Sequence, residues 1–159
     1  MKFLKIFFIG IFLFSFFSCG SDDDICVSGE ATPRMKLKFK TKATGKLKTM
    51  DSLFVNVDYG SGKVPVIATK TKTDSVFIPL RVDDVPFTKI CVGISRAAVT
   101  SEVKINYTTK SQYVSPACGI KKIYENVSSV LEVPNPVVEI EQNQTQITDE
   151  SKTHFFLLF

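Results

Sequence analysis

The chain has 159 residues and a formal net charge of +4, and 44% of its residues are hydrophobic. A chain of this length suits one domain with a real core. Its apolar residues are spread along the whole chain, which argues against disorder throughout. The modest charge gives no indication of a nucleic-acid partner, for which a strongly basic balance is typical.

Residues 1–18 have the organisation of a signal peptide. Lys2 and Lys5 give a positive start, and residues 6–17 are almost wholly apolar. That run is too short to span about 30 Å of hydrocarbon, which takes about 20 residues, so it fits the core of a signal peptide instead. An exported protein of this kind would not meet nucleic acid.

Cys19 is the predicted first residue of the mature protein and the site of its lipid. The run Phe16-Phe17-Ser18-Cys19 resembles the bacterial lipobox, in which a diacylglyceryl group is attached to the cysteine sulfur before cleavage. It departs from the usual pattern at Phe16, where leucine is usual, and at Phe17, where a small residue is usual. Two or more acyl chains give stable membrane anchoring. The alternative is an ordinary signal peptide that is cut elsewhere.

An acidic segment follows the anchor, and residues 19–25 are interpreted as a lipidated tether. Ser21, Asp22, Asp23 and Asp24 resemble the serine-plus-acidic export signal of Bacteroidota lipoproteins. This resemblance predicts the outer membrane, with the domain on the cell-surface face. A periplasmic location, with the three carboxylates acting only as a solvated linker, is the alternative.

Residues 26–159 are predicted to form a single all-β domain. Apolar and polar residues alternate with a period of two in most segments, and turn residues separate them. About 7–9 short strands at this spacing favour a β-sandwich, either immunoglobulin-like or transthyretin-like. The strands are predicted around residues 35–39, 53–59, 64–69, 76–82, 90–94, 103–107 and 113–114, with further strands within 137–147 and 154–159.

Three details of this pattern are specific enough to test. Gly60-Ser61-Gly62 is predicted to be a hairpin turn, and Pro65 places its strand at a sheet edge or an entry position. Residues 119–131 lack a clean apolar stripe, so we expect a loop there with at most one helical turn.

Three cysteines remain after Cys19, in a compartment where disulfides persist. Cys91 lies within a predicted strand, where a thiol behaves as a small hydrophobe. Our interpretation favours a Cys26–Cys118 disulfide, and three free thiols are the alternative. Closing a loop of roughly 90 residues would contribute about 3–5 kcal/mol in the chain-entropy model.

The strand around residues 35–39 carries a row of cations on its polar face. We name it the basic ridge: Arg34, Lys36, Lys38, Lys40 and Lys42. An anionic glycan or lipopolysaccharide would relieve the mutual repulsion of these charges. Equally, lysines on an exposed edge strand prevent edge-to-edge aggregation.

No arrangement of residues predicts catalysis, a metal site or a cofactor. The single histidine, His154, has no second histidine to join it in a metal site, and no nucleophile-elbow motif is present. We therefore expect a protein that is not an enzyme.

Ser52 and Ser75, each preceded by aspartate and followed by an aliphatic residue, resemble the O-glycosylation motif of exported Bacteroidota proteins.

Several short motifs resemble a Bacteroidota outer-membrane lipoprotein family of unknown function. They are Cys26, Ala31-Thr32-Pro33-Arg34 with the strand after it, Ile78-Pro79-Leu80, Ser115-Pro116-Ala117-Cys118-Gly119 and the closing strand at His154. The resemblance implies one envelope domain without assigned activity, and Cys26 and Cys118 as the matching cysteine pair.

Together these features predict an outer-membrane lipoprotein with a non-catalytic accessory or adaptor role. Its expected partners are the membrane, through the lipid anchor, and an outer-membrane barrel protein. The alternative is a binding module for an anionic glycan or lipopolysaccharide that uses the basic ridge.

Overall fold

The computed structural model describes residues 30–95 and 99–159. The predicted signal peptide (1–18), the tether (19–25) and Cys26 lie outside the described residues. The predictions for Cys19, Ser21, Asp22, Asp23 and Asp24 therefore stay predictions.

The described part of the chain consists of nine β-strands and contains no helix. Accordingly, no helix within it is long and apolar enough to cross a membrane. The strands are β1 (Met35–Lys40), β2 (Leu53–Asp58), β3 (Lys63–Lys70), β4 (Ser75–Ile78), β5 (Phe87–Gly93), β6 (Ser101–Ser115), β7 (Gly119–Val133), β8 (Glu139–Gln142) and β9 (Phe155–Leu158).

The strands form two sheets, which confirms the predicted all-β sandwich. The four-stranded sheet has the order β4-β1-β9-β8, and the five-stranded sheet has the order β3-β2-β5-β6-β7. All neighbours are antiparallel except β1 and β9, which are parallel. β3 is an edge strand, as Pro65 predicted, and the Gly60–Gly62 turn joins it to β2 with positive φ at both glycines.

The period-two pattern is the reason these segments are strands, because it gives each sheet one apolar face. In both β1 and β2, buried and half-buried residues alternate without a break. The inward residues of the two sheets meet in one core that includes Phe39, Leu53, Tyr124 and Phe155.

The predicted loop at residues 119–131 is wrong, because this segment forms most of β7. The predicted strands at 103–107 and 113–114 are likewise parts of one strand, β6. The register shifts between Asn106 and Thr108, and Asn126 has a φ of 52°. Because of this bulge, two successive inward residues of β7, Tyr124 and Val127, are three positions apart instead of two. The alternation of apolar residues in the sequence is therefore broken.

We expect Leu37→Ala to destabilise the domain by about 2–5 kcal/mol, the usual cost of a cavity in a packed core. Leu37 is 1% exposed and belongs to the core cluster. Urea denaturation followed by circular dichroism measures the change. Ile120→Ala is the control, since Ile120 is 67% exposed, and an equal loss in both variants would contradict the assigned core.

Candidate interaction surfaces

The basic ridge lies on the outer face of the four-stranded sheet. Met35, Leu37 and Phe39 are buried, so the alternate residues of β1 point outward. β1 lies between β4 and β9, so the interpretation of the ridge as protection for an edge strand is wrong.

Acidic side chains of neighbouring segments accompany most of this ridge. Arg34 pairs with Glu150, Lys38 with Asp74, Lys40 with Glu141 and Lys42 with Glu139. Lys36 instead donates from Nζ to the carbonyl oxygen of Ser151 at 3.3 Å. The ridge therefore has intramolecular partners along its whole length, which reduces the attraction it offers to an external anion.

Lys40 shows how these pairs reach across the sheet. Its Nζ lies 2.7 and 2.8 Å from the two carboxylate oxygens of Glu141 on β8. β9 runs between the two strands, and the Lys40 ammonium sits 4.0 Å from the ring centroid of Phe156 on that strand. The cation thus bonds the carboxylate while it covers an aromatic face.

Arg34 and Glu150 form the pair with the best geometry. The Nε and Nη2 atoms of Arg34 each lie 2.7 Å from a different carboxylate oxygen of Glu150. The backbone N–H of Arg34 donates to the same carboxylate at 3.0 Å. These bonds lower the pKa of Glu150 below its usual value, although burial opposes the shift.

Sequence reasoning did not identify the acidic residues that complete the ridge. Glu139, Glu141 and Glu150 fall in a polar stretch that weakened the prediction of a strand there. Glu139 and Glu141 are two residues apart, as Lys40 and Lys42 are, which is a signal of matching strand faces. Only the order β1-β9-β8 makes these two patterns neighbours.

His154 is buried beside the ridge, with an exposure of 2%. The backbone N–H of Lys36 donates to the Nδ1 atom of the His154 ring at 2.9 Å, and the backbone N–H of His154 donates to the backbone carbonyl of Lys36. An amide N–H can only donate, so this ring nitrogen must be unprotonated. Burial lowers the pKa of His154, against the opposing effect of the Asp149 carboxylate.

The cysteines occupy two different environments. Cys91 is a free buried thiol, and burial raises its pKa. Cys118, in the β6–β7 turn, is disulfide-bonded. Its predicted partner Cys26 lies outside the described residues, so the Cys26–Cys118 pairing stays a prediction.

The two predicted glycosylation serines lie at or just before strand starts. Ser52 precedes β2 and donates from Oγ to the carbonyl of Ile94. Ser75 begins β4, and its Oγ lies 3.0 Å from the Asp74 carboxylate. Both residues are half-buried, and their modification stays a prediction.

Two shallow hollows on the surface hold few chemically reactive groups. One, of about 280 Å³, is lined by Phe54, Asn56 and mostly small or apolar residues. Another, of about 340 Å³, has Arg34 as its only ionisable lining residue, and that side chain is bonded to Glu150. Within residues 30–95 and 99–159, no group of three histidine, cysteine or acidic residues is placed to hold a metal ion.

Exposed apolar residues gather at the end of the sandwich where β6 begins. We name them the far-end surface: Leu47, Ile94, Val99, Val133 and Val138, with exposures from 38% to 65%. Backbone contacts place them there, because Leu47 pairs with Lys40 and Val133 with Glu102, while the N–H of Val138 donates to Leu158. Apolar residues grouped on a surface are typical of an interaction site.

The fold and these surfaces define a β-sandwich protein with two distinctive exposed features, a group of apolar residues and a row of ion pairs. The model of a family of unknown function, DUF6452, matches residues 50–159. The chain belongs to this family, and the match covers β2 to β9. No curated protein and no solved structure shows significant similarity to the chain.

We expect the stability of the domain to fall as the pH drops below about 6.5, the ordinary pKa of histidine. The folded state lowers the pKa of His154, so below that pH the unfolded chain binds more protons and gains in free energy. The loss continues until the pH passes the lowered pKa of the folded state. Urea midpoints measured at a series of pH values report the slope.

His154→Asn is the control for this effect, because the chain contains one histidine. The variant should lack the slope that begins near pH 6.5. It should keep the further loss at lower pH, where Glu150 and Asp149, whose pKa values are lowered by Arg34 and Ser151, become protonated. An unchanged slope near pH 6 in the variant would contradict the role of His154.

Proposed function

We propose that this protein is a lipid-anchored component of the cell envelope, held at the outer membrane through Cys19. Its β-sandwich acts as a non-catalytic accessory or adaptor subunit for an outer-membrane barrel protein. The leader and the serine-plus-acidic segment Ser21 to Asp24 support export to the cell-surface face, and the periplasmic face is the alternative.

The far-end surface is the observation that carries the adaptor role. Leu47 is 65% exposed and Val99 is 63% exposed, and both lie in connections between strands. A protein partner that covered these side chains would remove apolar surface from water, at roughly 25 cal/mol for each Å². Five exposed aliphatic side chains grouped at one end of the sandwich favour an apolar contact with a protein partner.

The alternative, a module that binds an anionic glycan or lipopolysaccharide, has less support. Its proposed site is the basic ridge, and four of the five cations there already have a carboxylate partner. An anionic ligand would have to compete with these carboxylates or bind beside them. The same ion pairs give the ridge a structural role, because they connect β1 and its flanking residues to the neighbouring segments.

We expect Cys19→Ser to abolish lipid attachment, since Cys19 is the cysteine that directly follows the leader and the next one, Cys26, is seven residues further on. Cells fed an alkyne-bearing fatty acid should label the wild-type protein and leave the variant unlabelled. Cys91→Ser is the matched control and should label as wild type. Equal labelling of all three proteins would refute the proposed anchor.

We expect Leu47→Asp combined with Val99→Asp to release the barrel partner, because a carboxylate placed in an apolar contact loses its hydration without gaining a partner. Extraction in mild detergent followed by affinity purification and mass spectrometry measures what remains bound. Circular dichroism checks that the variant is folded.

A second variant separates the two functions. Lys36→Gln, Lys38→Gln and Lys40→Gln together remove charge from the ridge without adding repulsion against Glu141. The adaptor role predicts that this variant keeps its partner. The alternative predicts that it loses binding to purified lipopolysaccharide while the far-end variant keeps it, and that result would favour the ligand-binding role.

A further inference from the structure

The β6–β7 hairpin extends well past the core of the sandwich. Tyr107 on β6 and Tyr124 on β7 are buried, but no described residue between them is. A strand rises about 3.3 Å per residue, so the stretch from Tyr107 to Tyr113 covers roughly 20 Å. This end of the hairpin is therefore a projection whose side chains have little of the domain to pack against.

The projection ends in an exposed apolar pair. Tyr113 and Ile120 are cross-strand partners, so their side chains lie on the same face of the hairpin. They are 65% and 67% exposed, the largest values among the exposed large hydrophobic residues together with Leu47. We name this pair, with the turn between its members, the hairpin tip.

The two strand segments that lead to the hairpin tip contain basic residues, most of which are ion-paired. Between Thr108 and Tyr124 the sequence contains three lysines, at 110, 121 and 122, and no acidic residue. Lys122 reaches back to Asp84 and Lys110 to Glu125, so these two counter-charges lie toward the sandwich. What the tip offers to a lipid–water interface is therefore an exposed tyrosine beside an exposed aliphatic residue, a combination that favours such an interface.

The N-terminal segment enters the domain beside this projection. The backbone N–H of Lys122 donates to Thr32 Oγ1 at 2.9 Å, and a carboxylate oxygen of Glu30 lies 3.6 Å from the sulfur of Cys118. Glu30 is eleven residues after Cys19 in the sequence. Eleven extended residues reach at most about 40 Å, and the predicted Cys26–Cys118 disulfide would limit the reach to about 25 Å from the turn.

We propose that the hairpin tip docks on the surface of the lipid bilayer that holds the Cys19 anchor. Tyr113 places its ring among the headgroups, and Ile120 enters the upper acyl region. The proposal rests on the anchored location proposed above. It follows from the small number of residues between Cys19 and Glu30, because Glu30 and Thr32 lie beside the hairpin.

This docking also orients the molecule. β6 runs from the far-end surface at Ser101 to the tip at Ser115, a distance of about 45 Å at the usual strand rise. A domain that stands on its hairpin tip therefore presents the far-end surface away from the lipid and toward a protein partner.

Tryptophan reporters test this directly, because the chain contains no tryptophan. The full-length lipidated protein carrying Tyr113→Trp is reconstituted into vesicles of phosphatidylethanolamine and phosphatidylglycerol with brominated acyl chains. Leu47→Trp is the matched reporter, with the same exposure of 65% at the opposite end of the sandwich. We expect a blue shift and loss of emission for the tip reporter and neither for the far-end reporter.

A second substitution tests whether the contact depends on the tip. Adding Ile120→Asp to the Tyr113→Trp protein should restore the emission, whereas adding Leu47→Asp should leave it quenched. Both changes are at exposed positions, and circular dichroism confirms the fold. Continued quenching in the Ile120→Asp protein would overturn the proposal.

Flotation of the same vesicles distinguishes the two ways in which the idea can fail. Protein that floats with the vesicles while both reporters keep their emission has an anchor but no docked tip. That outcome overturns the docking and assigns the hairpin tip to another partner. Protein that does not float refutes the anchor, and with it the docking that rests on the anchor.

Discussion

The parallel pairing of β1 with β9 is the contact on which the rest of the structure depends. Without it the four-stranded sheet separates into the pairs β4-β1 and β9-β8, and half of the core loses its cover. His154 supports this pairing with two hydrogen bonds to the backbone of Lys36. Its ring Nδ1 accepts from the Lys36 N–H, and its backbone N–H donates to the Lys36 carbonyl. A neutral buried ring in that position thus joins segments 118 residues apart in sequence.

The same pairing explains the electrostatics of the outer face. The cations lie on β1 and the residues that flank it, and most of the matching acids lie on β8 and in the connection from β8 to β9, with Asp74 before β4 as the exception. Each exposed pair contributes little to stability alone. Together they neutralise a row of like charges that would otherwise repel one another along one strand. The ridge is therefore explained by the fold itself, and the apolar surfaces at the two ends of the molecule gain importance for function.

Those two ends differ in chemistry. The far-end surface consists of aliphatic side chains in connections between strands and at the end of β7, whereas the hairpin tip pairs a tyrosine with an isoleucine. The described part of the chain begins beside the second end, with Glu30 near Cys118 and Thr32 bonded to Lys122. The proposed lipid contact at the tip and the proposed protein contact at the far end would together give an adaptor a fixed direction.

The sequence by itself determined the all-β class and most of the strands, because inward residues at Met35–Phe39 and Leu53–Val57 alternate without interruption. Pro65, which has no N–H to donate, indicated an edge or entry position for β3, and the edge is what the structure has. The sequence pattern failed for β7, because a bulge at Asn126 shifts the inward positions and half of the strand lies outside the core. Only the tertiary structure decided that β1 is an inner strand, that Glu139 and Glu141 face its lysines, and that Tyr113 and Ile120 project together. These are relations between segments distant in sequence, and strand order, which local alternation does not encode, is what creates them.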